Sequence, residues 1–225
     1  MQQKPMVFPE HIKNPWYLMG LDELKKLYKQ GLWDDYVHHN PNWSEFQILT
    51  KEFINSLSNF LVEKIESIPE KLINILEVGA GNGRLTYFLK NTIVEKLKNK
   101  KIKYDAIDNF SWDNKMSGSL GTPYWIKRIF DVIEMSVDSI QINEFDIIIS
   151  SWMPKNEDWT KYFRKNNTVK IFILIWKEED CGLDTSWQSD NNFERVDVDV
   201  EGSVCWSDFI PGMNKSKVVA FLRKN

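Results

Sequence analysis

The amino-acid sequence predicts an α/β fold in which a mostly parallel sheet is covered by helices on both faces. Five short apolar runs recur between residues 72 and 176, and helical or loop segments separate them. The runs are almost continuously apolar, which is typical of parallel strands buried on both sides. Two later strand-like runs have no long helix between them, so they predict an antiparallel pair at one edge of the sheet.

Two amphipathic helices are predicted before the sheet. The apolar spacing in GLDELKKLYKQG at 20–31 predicts the first helix, and Gly31 supplies its C-terminal stop. The second begins with Asn42 as its N-cap and Glu45 at the third helical position, and it ends before Pro69. We expect these helices to pack on the sheet as an N-terminal extension.

The predicted strands follow in chain order, separated by helices or loops. The parallel strands are LINILEV at 72–78, IKYDAID at 102–108, YWIKRIF at 124–130, FDIIIS at 145–150 and VKIFILIW at 169–176. The edge pair is FERVDVDV at 193–200 with KSKVVAFLRKN at 215–225. The expected organisation is therefore a helical extension over residues 1–70 and one α/β domain over residues 71–225.

Composition limits the classes of function. The chain has 225 residues and a formal net charge of −3, so it offers no global attraction for nucleic acid. With only Cys181 and Cys205, and no histidine beyond His39, it predicts neither a disulfide framework nor a Cys/His zinc site. Its longest apolar run, 171–176, is too short to cross a bilayer. We therefore expect a cytoplasmic protein without a metal or a membrane partner.

The turn EVGAGNG at 77–83 lies where an open α/β sheet binds its ligands, beyond the carboxyl end of a strand. Three glycines remove Cβ atoms and permit positive φ, and the helix predicted from Arg84 to about Asn99 directs its first N–H groups at the site. A dinucleotide fingerprint requires glycine where Arg84 stands, and the phosphate-binding pattern G-x-x-x-x-G-K-[ST] is missing. The turn predicts a nucleotide-type ligand but weakens both phosphate-binding interpretations.

The turn resembles the E/D-x-G-x-G-x-G motif of class I S-adenosylmethionine-dependent methyltransferases. The resemblance extends to Asp108 at the end of the second strand, to Asp131 and Val132 at the end of the third, and to SSWMP at 150–154 after the fourth. It implies a Rossmann-like fold with a seven-stranded, mostly parallel sheet and an antiparallel edge hairpin. It also implies S-adenosyl-L-methionine as the cofactor.

The resemblance assigns roles to individual residues. It places Asp108 at the ribose hydroxyls, Asp131 at the adenine amino group and the Val132 N–H at the adenine ring. Glu77 is expected near the amino group of the methionine part, with the glycines beneath it. The expected cofactor-binding residues are Glu77, Gly79, Ala80, Gly81, Gly83, Asp108, Asn109, Asp131, Val132 and Ser150.

The methyl acceptor is less defined. The segment SSWMP replaces the [DN]-P-P-[YFW] motif of methyltransferases that act on planar amide or amino nitrogens. Ser151 and Trp152 are predicted to contact the acceptor, and core packing is an equal alternative for Trp152. We expect a protein side chain or a small molecule as the acceptor rather than nucleic acid. The alternative function is a catalytically inactive, methyltransferase-like binding or scaffold protein.

Overall fold

The structure, a computed structural model, describes residues 10–33, 36, 47–111, 130–177, 180–205, 208 and 216–224. The α-helices in this part of the chain are α1 (Leu21–Lys29), α2 (Lys51–Ser67), α3 (Arg84–Lys96) and α4 (Thr160–Arg164). Short 3-10 helices span Glu10–Lys13, Ile142–Glu144 and Asp184–Trp187. The strands are β1 (Gln47–Ile48), β2 (Leu72–Val78), β3 (Lys101–Asp108), β4 (Ile133–Glu134), β5 (Ile147–Ser151), β6 (Ile171–Trp176), β7 (Phe193–Val198), β8 (Val204–Cys205) and β9 (Lys217–Arg223).

Seven of these strands form one sheet, in the order β4-β3-β2-β5-β6-β9-β7. The first five strands in this order are parallel to one another, and β9 runs antiparallel to both β6 and β7. Adjacent strands that are distant in sequence require crossovers, which is the arrangement of a Rossmann-like α/β fold. The predicted fold class, including the antiparallel edge pair, is confirmed.

The register aligns the carboxyl ends of four strands at one edge of the sheet. Val78 of β2 lies opposite Ile107 of β3 and Ser150 of β5, while Ile107 lies opposite Ile133 of β4. Side chains that follow these positions therefore meet at the same edge. The glycine turn begins here, directly after Val78.

The sheet separates two apolar clusters. On one face, Ile75 and Ile149 pack with Phe53 and Leu57 of α2 and with Leu89 of α3. On the other face, a second cluster contains residues of the sheet, of α4 and of the 3-10 helices: Leu76, Ile148, Phe172, Phe163, Ile142 and Trp187. Each fully buried side chain of this size contributes about 1.5–3 kcal/mol through the hydrophobic effect. This packing fixes the position of the edge where the candidate site lies.

The N-terminal part of the chain contributes to two different clusters. Leu24 and Leu27 of α1 pack with Ile48 of β1 in a third apolar cluster, and β1 pairs with β8 in a small antiparallel sheet that the sequence did not predict. Helix α2, in contrast, belongs to the main core. The division at residue 70 stays a prediction, but α2 lies before that boundary and packs directly on the sheet.

The predicted start of the second helix was wrong. Helix α2 begins at Lys51, where Thr50 acts as the N-cap and its hydroxyl accepts a hydrogen bond from the Phe53 N–H at 3.0 Å. The apolar periodicity continues upstream because Gln47–Ile48 is a buried strand. Asn42 and Glu45 lie outside the described residues.

The third parallel strand also differs from its prediction. Residues 124–129 lie outside the described part of the chain, and Phe130 is in a bend. The strand that pairs with β3 is the short β4, which follows the predicted run. Pairing with only Ile107 and Asp108 leaves β4 too short to give a recognisable apolar pattern.

Candidate functional site

The glycine turn crosses from β2 toward β3 before α3 begins. The N–H groups of Gly79 and Ala80 both donate to the Ile107 carbonyl, at 2.9 and 3.0 Å. The φ angles of Gly79, Gly81 and Gly83 are +71°, +55° and +76°, a region that residues with a Cβ adopt at a cost. Three such positions in five residues explain why this turn requires glycine.

Asp108 links this turn to the end of β3. Its side chain is buried, and one carboxylate oxygen accepts a hydrogen bond from the Gly81 N–H at 2.8 Å. The other oxygen accepts from the Phe110 N–H at 2.7 Å. Backbone N–H groups therefore hold both oxygens of this carboxylate at the point where the turn meets the end of β3.

Glu77 faces helix α3. Its buried carboxyl accepts a hydrogen bond from the Thr86 hydroxyl in the first turn of that helix. Burial raises the pKa of Glu77 to about 8, and the nearby charge of Asp108 acts in the same direction. Burial also raises the pKa of Tyr104, and the neighbouring Glu77 carboxyl acts in the same direction. At neutral pH Glu77 is therefore mainly protonated, and its carboxyl contacts α3.

A cleft of about 520 Å³ lies outside the carboxyl ends of β2, β3 and β4. We call it the acidic cleft because the carboxylates of Asp108, Asp138, Glu157 and Asp158 line it, against the single ammonium of Lys161. The other described residues lining it are Val78, Gly79, Ile107, Asn109, Ser111, Met135, Ser136, Val137, Pro154, Asn156, Trp159, Tyr162 and Leu183. The acidic cleft therefore brings together three of the predicted cofactor-binding residues: Gly79, Asp108 and Asn109.

Trp159 forms the wall of the acidic cleft at the glycine turn, a position that the sequence did not predict. A Cβ atom on Gly79 would lie 2.8 Å from Cζ3 of its indole ring. The ring nitrogen donates to the Glu157 carboxylate at 2.6 Å, and the Trp159 N–H donates to the Met153 sulfur at 3.2 Å. The sequence gives only a weak signal for this residue, the segment EDW at 157–159, which combines two acids with an aromatic residue after β5.

A second cleft, of about 560 Å³, lies on the other side of the turn. We call it the aromatic cleft because Trp16, Tyr87 and Phe130 line it, with ring centroids 4.5–5.0 Å apart. Gly83 is among its lining residues, and a Cβ there would lie 2.7 Å from Val132 Cγ2. The missing side chain of Gly83 therefore allows close packing against the segment before β4.

The predicted position of Asp131 and Val132 at the end of the third strand was wrong. Both residues precede β4 and line the aromatic cleft, whereas Asp108 lines the acidic cleft. The strand's carboxyl end is Glu134, and residues 135–138 continue into the acidic cleft. The roles of Asp131 and Val132 at an adenine group stay predictions, although the structure separates them from Asp108.

The predicted acceptor residues lie at the end of β5. The hydroxyl groups of Ser150 and Ser151 are buried, and neither finds a hydrogen-bond partner among the described residues. Trp152 has a φ of +67° and packs with the apolar cluster on the α4 face, in contact with Trp176. This packing agrees with the alternative of core packing for Trp152.

Arg84 anchors the N-terminal segment at the start of α3, which the sequence did not predict. Its guanidinium is buried and donates to the carbonyls of Pro15, at 2.8 Å, and Tyr17. Burial lowers the pKa of Arg84 to about 10, so the group stays charged at neutral pH. These bonds hold Trp16 over the aromatic cleft, beside the glycine turn.

The described part of the chain lacks two other kinds of feature, a metal-binding cluster and a membrane-spanning helix. No cluster of histidine, cysteine, aspartate and glutamate side chains there has an arrangement suited to a metal ion. Among the same residues, no helix combines the length and the apolar character needed to span a membrane. Cys181 and Cys205 are both free and buried.

No protein-family model and no curated protein matches this sequence. Among solved structures, the CurJ carbon methyltransferase aligns at 14% identity over 77% of this chain, with a TM-score of 0.49. The CMeT domain of the citrinin polyketide synthase aligns at 14% identity over 86% of this chain, also with a TM-score of 0.49. This chain covers 54% and 56% of those two proteins, about half of their length.

A third structure, a putative class I S-adenosylmethionine-dependent methyltransferase from Listeria monocytogenes, aligns at 10% identity with a TM-score of 0.46. The alignment covers 92% of this chain and 69% of that one. All three are described as methyltransferases. With TM-scores below 0.5, these similarities support no conclusion about activity, and the fold assignment rests on the order and direction of the strands.

Proposed function

We propose that this protein is an S-adenosylmethionine-dependent methyltransferase whose cofactor binds in the acidic cleft. The observation that carries the proposal is the hydrogen bond from the Gly81 N–H to Asp108, which joins the glycine turn to an acid at the end of the adjacent strand. This pair combines glycine backbone with a carboxylate at the edge where open α/β sheets bind ligands. The preferred acceptor is a protein side chain or a small molecule.

The residues of the acidic cleft fit such a cofactor. Its volume lies within the range of roughly 300–1,000 Å³ that is usual for small-molecule sites. Asp108 lines the cleft and is the carboxylate that we assign to the ribose hydroxyls, and Gly79 presents backbone without a side chain. Asp138 offers a second carboxylate, which would bind the amino group of the cofactor. Hydrogen bonds from Ser136 and then Ser139 lower the pKa of this carboxylate. When bound, the cofactor would supply an electrophilic methyl group.

The chain's own contribution to transfer would be to orient the acceptor. Alignment of two reactants can provide much of the catalysis of a displacement reaction, so a fixed general base is not required. Trp159 and Tyr162 form the wall opposite the end of β3 and would hold the acceptor. We retain Ser150 and Ser151 as candidate polar contacts and assign to Trp159 the role first predicted for Trp152.

Calorimetry tests cofactor binding directly. We expect S-adenosylmethionine and S-adenosylhomocysteine to bind with micromolar affinity, near −8 kcal/mol, and NAD and ATP to give little thermal stabilisation. Gly81→Val should abolish binding, because a branched side chain at this φ would distort the turn that Asp108 holds. Gly31→Val is the matched control, since Gly31 also has a positive φ but lies far from the cleft. Equal stabilisation by NAD would contradict the proposed cofactor.

Methyl transfer is tested separately from binding. The protein is incubated with tritiated S-adenosylmethionine and with lysate fractions enriched in protein, RNA or small molecules. Label in the protein or small-molecule fraction supports the proposed acceptor class, while label in RNA contradicts it. Cofactor binding with no labelled fraction would instead favour the catalytically inactive binding protein.

A further inference from the structure

The carboxylate of Asp158 is held in the wall of the acidic cleft with one oxygen left open. Its Oδ1 accepts three hydrogen bonds, from the Thr160 N–H at 2.9 Å, the Thr160 hydroxyl at 2.6 Å and the Ser186 hydroxyl at 3.0 Å. No described residue donates to Oδ2. An anchored carboxylate of this kind presents an acceptor atom with little loss of conformational freedom when a donor binds.

The surroundings of Asp158 favour a positively charged partner. The neighbouring Glu157 carboxylate lines the same wall, and Lys161 is the only lysine or arginine among the lining residues that the structure describes. The Lys161 ammonium lies 5.0 Å from the centre of the Tyr162 ring, so this wall already holds a cation over an aromatic face. The indole of Trp159 supplies a second aromatic surface beside the glycine turn.

We propose that this wall, formed by Asp158, Trp159 and Tyr162, binds a cationic amine group of the methyl acceptor; the ammonium serves recognition, and the methyl group goes to another atom of the acceptor that has a lone pair. The inference rests on the proposed function and defines its acceptor class. Asp158 Oδ2 accepts a hydrogen bond from the ammonium group, and the aromatic rings contact the apolar stem that carries it. A carboxylate group placed against this wall would be repelled by Asp158 and the neighbouring Glu157.

The test compares three small probes of equal chain length: pentylamine, pentanol and pentanoate. Saturation-transfer NMR measures their binding to the full chain, alone and with saturating S-adenosylhomocysteine. We expect pentylamine to bind at least tenfold more tightly than either other probe. Binding of pentanoate or pentanol as tight as that of pentylamine overturns the inference.

The variant Asp158→Asn tests whether Oδ2 of Asp158 binds the amine. Asparagine keeps an Oδ1 that can accept from Thr160 and Ser186, so the loop should stay in place, while an amide NH₂ replaces Oδ2. We expect the variant to bind pentylamine at least tenfold more weakly. Asp184→Asn is the matched control, because Asp184 is an exposed acid next to the lining residue Leu183 but does not itself line the cleft.

The cofactor is titrated separately to keep the two proposals apart. Asp158→Asn should leave the affinity for S-adenosylhomocysteine unchanged within twofold. A tenfold loss of that affinity would show that Asp158 serves the cofactor, which overturns the inference. Amine binding that depends on Asp158, in a protein that fails to bind S-adenosylhomocysteine, would support the inference and contradict the proposed methyltransferase function.

Discussion

The two clefts beside the glycine turn are similar in size but opposite in character. The acidic cleft has about 520 Å³ and lies at the strand ends, where Asp108 joins the turn. The aromatic cleft has about 560 Å³ and lies against α3, where Trp16, Tyr87 and Phe130 pack together. The same turn therefore lies between a cleft with four carboxylates and a cleft where three aromatic rings pack beside Lys90, Asp105 and Asp131.

This difference shows that the glycines of the EVGAGNG motif have different structural roles. Gly79 lies at the acidic cleft, where a side chain would collide with the Trp159 ring. Gly83 lies at the aromatic cleft and permits the close approach of Val132. A motif read from sequence treats these positions as equivalent. The structure separates a glycine at the proposed ligand site from a glycine required by packing.

The largest expected effect distinguishes the two clefts by their acids. Asp108→Ala should weaken S-adenosylhomocysteine binding at least 100-fold, because it removes charge-assisted hydrogen bonds worth about 1.5–3 kcal/mol each and frees the turn at Gly81. Asp131→Ala, in the aromatic cleft, should change the affinity less than threefold. Calorimetry on both variants, with thermal melting as the control for folding, measures the difference.

Equal losses from the two substitutions would show that the cofactor spans both clefts. A loss from Asp131→Ala alone would restore the adenine role that the sequence resemblance assigns to Asp131 and would move the proposed site. A folded Asp108→Ala that binds normally would contradict the central observation of the proposal.

The next comparison concerns two tryptophans after β5. Trp152→Ala should reduce the free energy of unfolding by about 3 kcal/mol, because Trp152 packs with the core cluster on the α4 face. Trp159→Ala should stay folded and bind S-adenosylhomocysteine, yet lose most of its methyl transfer to the labelled fraction. Urea denaturation and the transfer assay provide the two measurements. If Trp152→Ala were as stable as the native protein and inactive, the acceptor would lie at Trp152 after all.

The sequence predicted the fold better than the site because these depend on different kinds of information. Strand β2 was predicted with its observed bounds, since a buried strand between a polar helix end and a glycine turn has strong local signals. The site instead depends on contacts across the sheet edge. Nothing local indicates that Trp159 lies against Gly79, which is 80 positions earlier in the chain.

The position of the third strand was also mispredicted because it depends on contacts that are not local in the sequence. Strand β4 pairs through only two residues, and its position follows from the register with β3 rather than from its own composition. Asp131 was therefore placed at a strand end when it precedes the strand. For Glu77, the resemblance implies a place near the amino group of the methionine part, which stays a prediction; the structure shows its buried carboxyl accepting a hydrogen bond from Thr86 of α3.

Glu77 gives a pH-dependent test, because it lies beneath the turn that separates the clefts. Its folded pKa is raised to about 8, above its ordinary value of 4.5, so the folded state keeps a proton that the unfolded state loses. Because of this difference in the pKa of Glu77, the free energy of unfolding falls as pH rises from about 4.5 to 8, by up to about 1.4 kcal/mol per pH unit. Glu77→Gln removes the titration. Between pH 6 and 7.5, the variant should gain about 2 kcal/mol relative to the native protein.

Urea denaturation of both proteins at several pH values checks this expectation, and below pH 4.5 the difference between them should become independent of pH. A stability difference that stays constant from pH 5 to 8 would mean that Glu77 titrates normally. It would then be ionised at neutral pH, and its assignment as a protonated partner of Thr86 would be wrong.

The smallest expected effect isolates the contact between the glycine turn and the wall of the acidic cleft. Gly79→Ala and Gly31→Ala both place a Cβ at a φ near +70°, so both carry the same left-handed strain of about 1–2 kcal/mol. The added Cβ at Gly31 meets no atom within 4 Å, whereas at Gly79 it lies 2.8 Å from the Trp159 ring. Gly79→Ala should therefore be less stable than Gly31→Ala by about 1 kcal/mol, the cost of moving the indole. In a Trp159→Ala background the two substitutions should become equal, because the ring that distinguishes them is gone. A difference that persists in that background would place its origin in the turn itself, and Trp159 would then not be the wall of the cleft at Gly79.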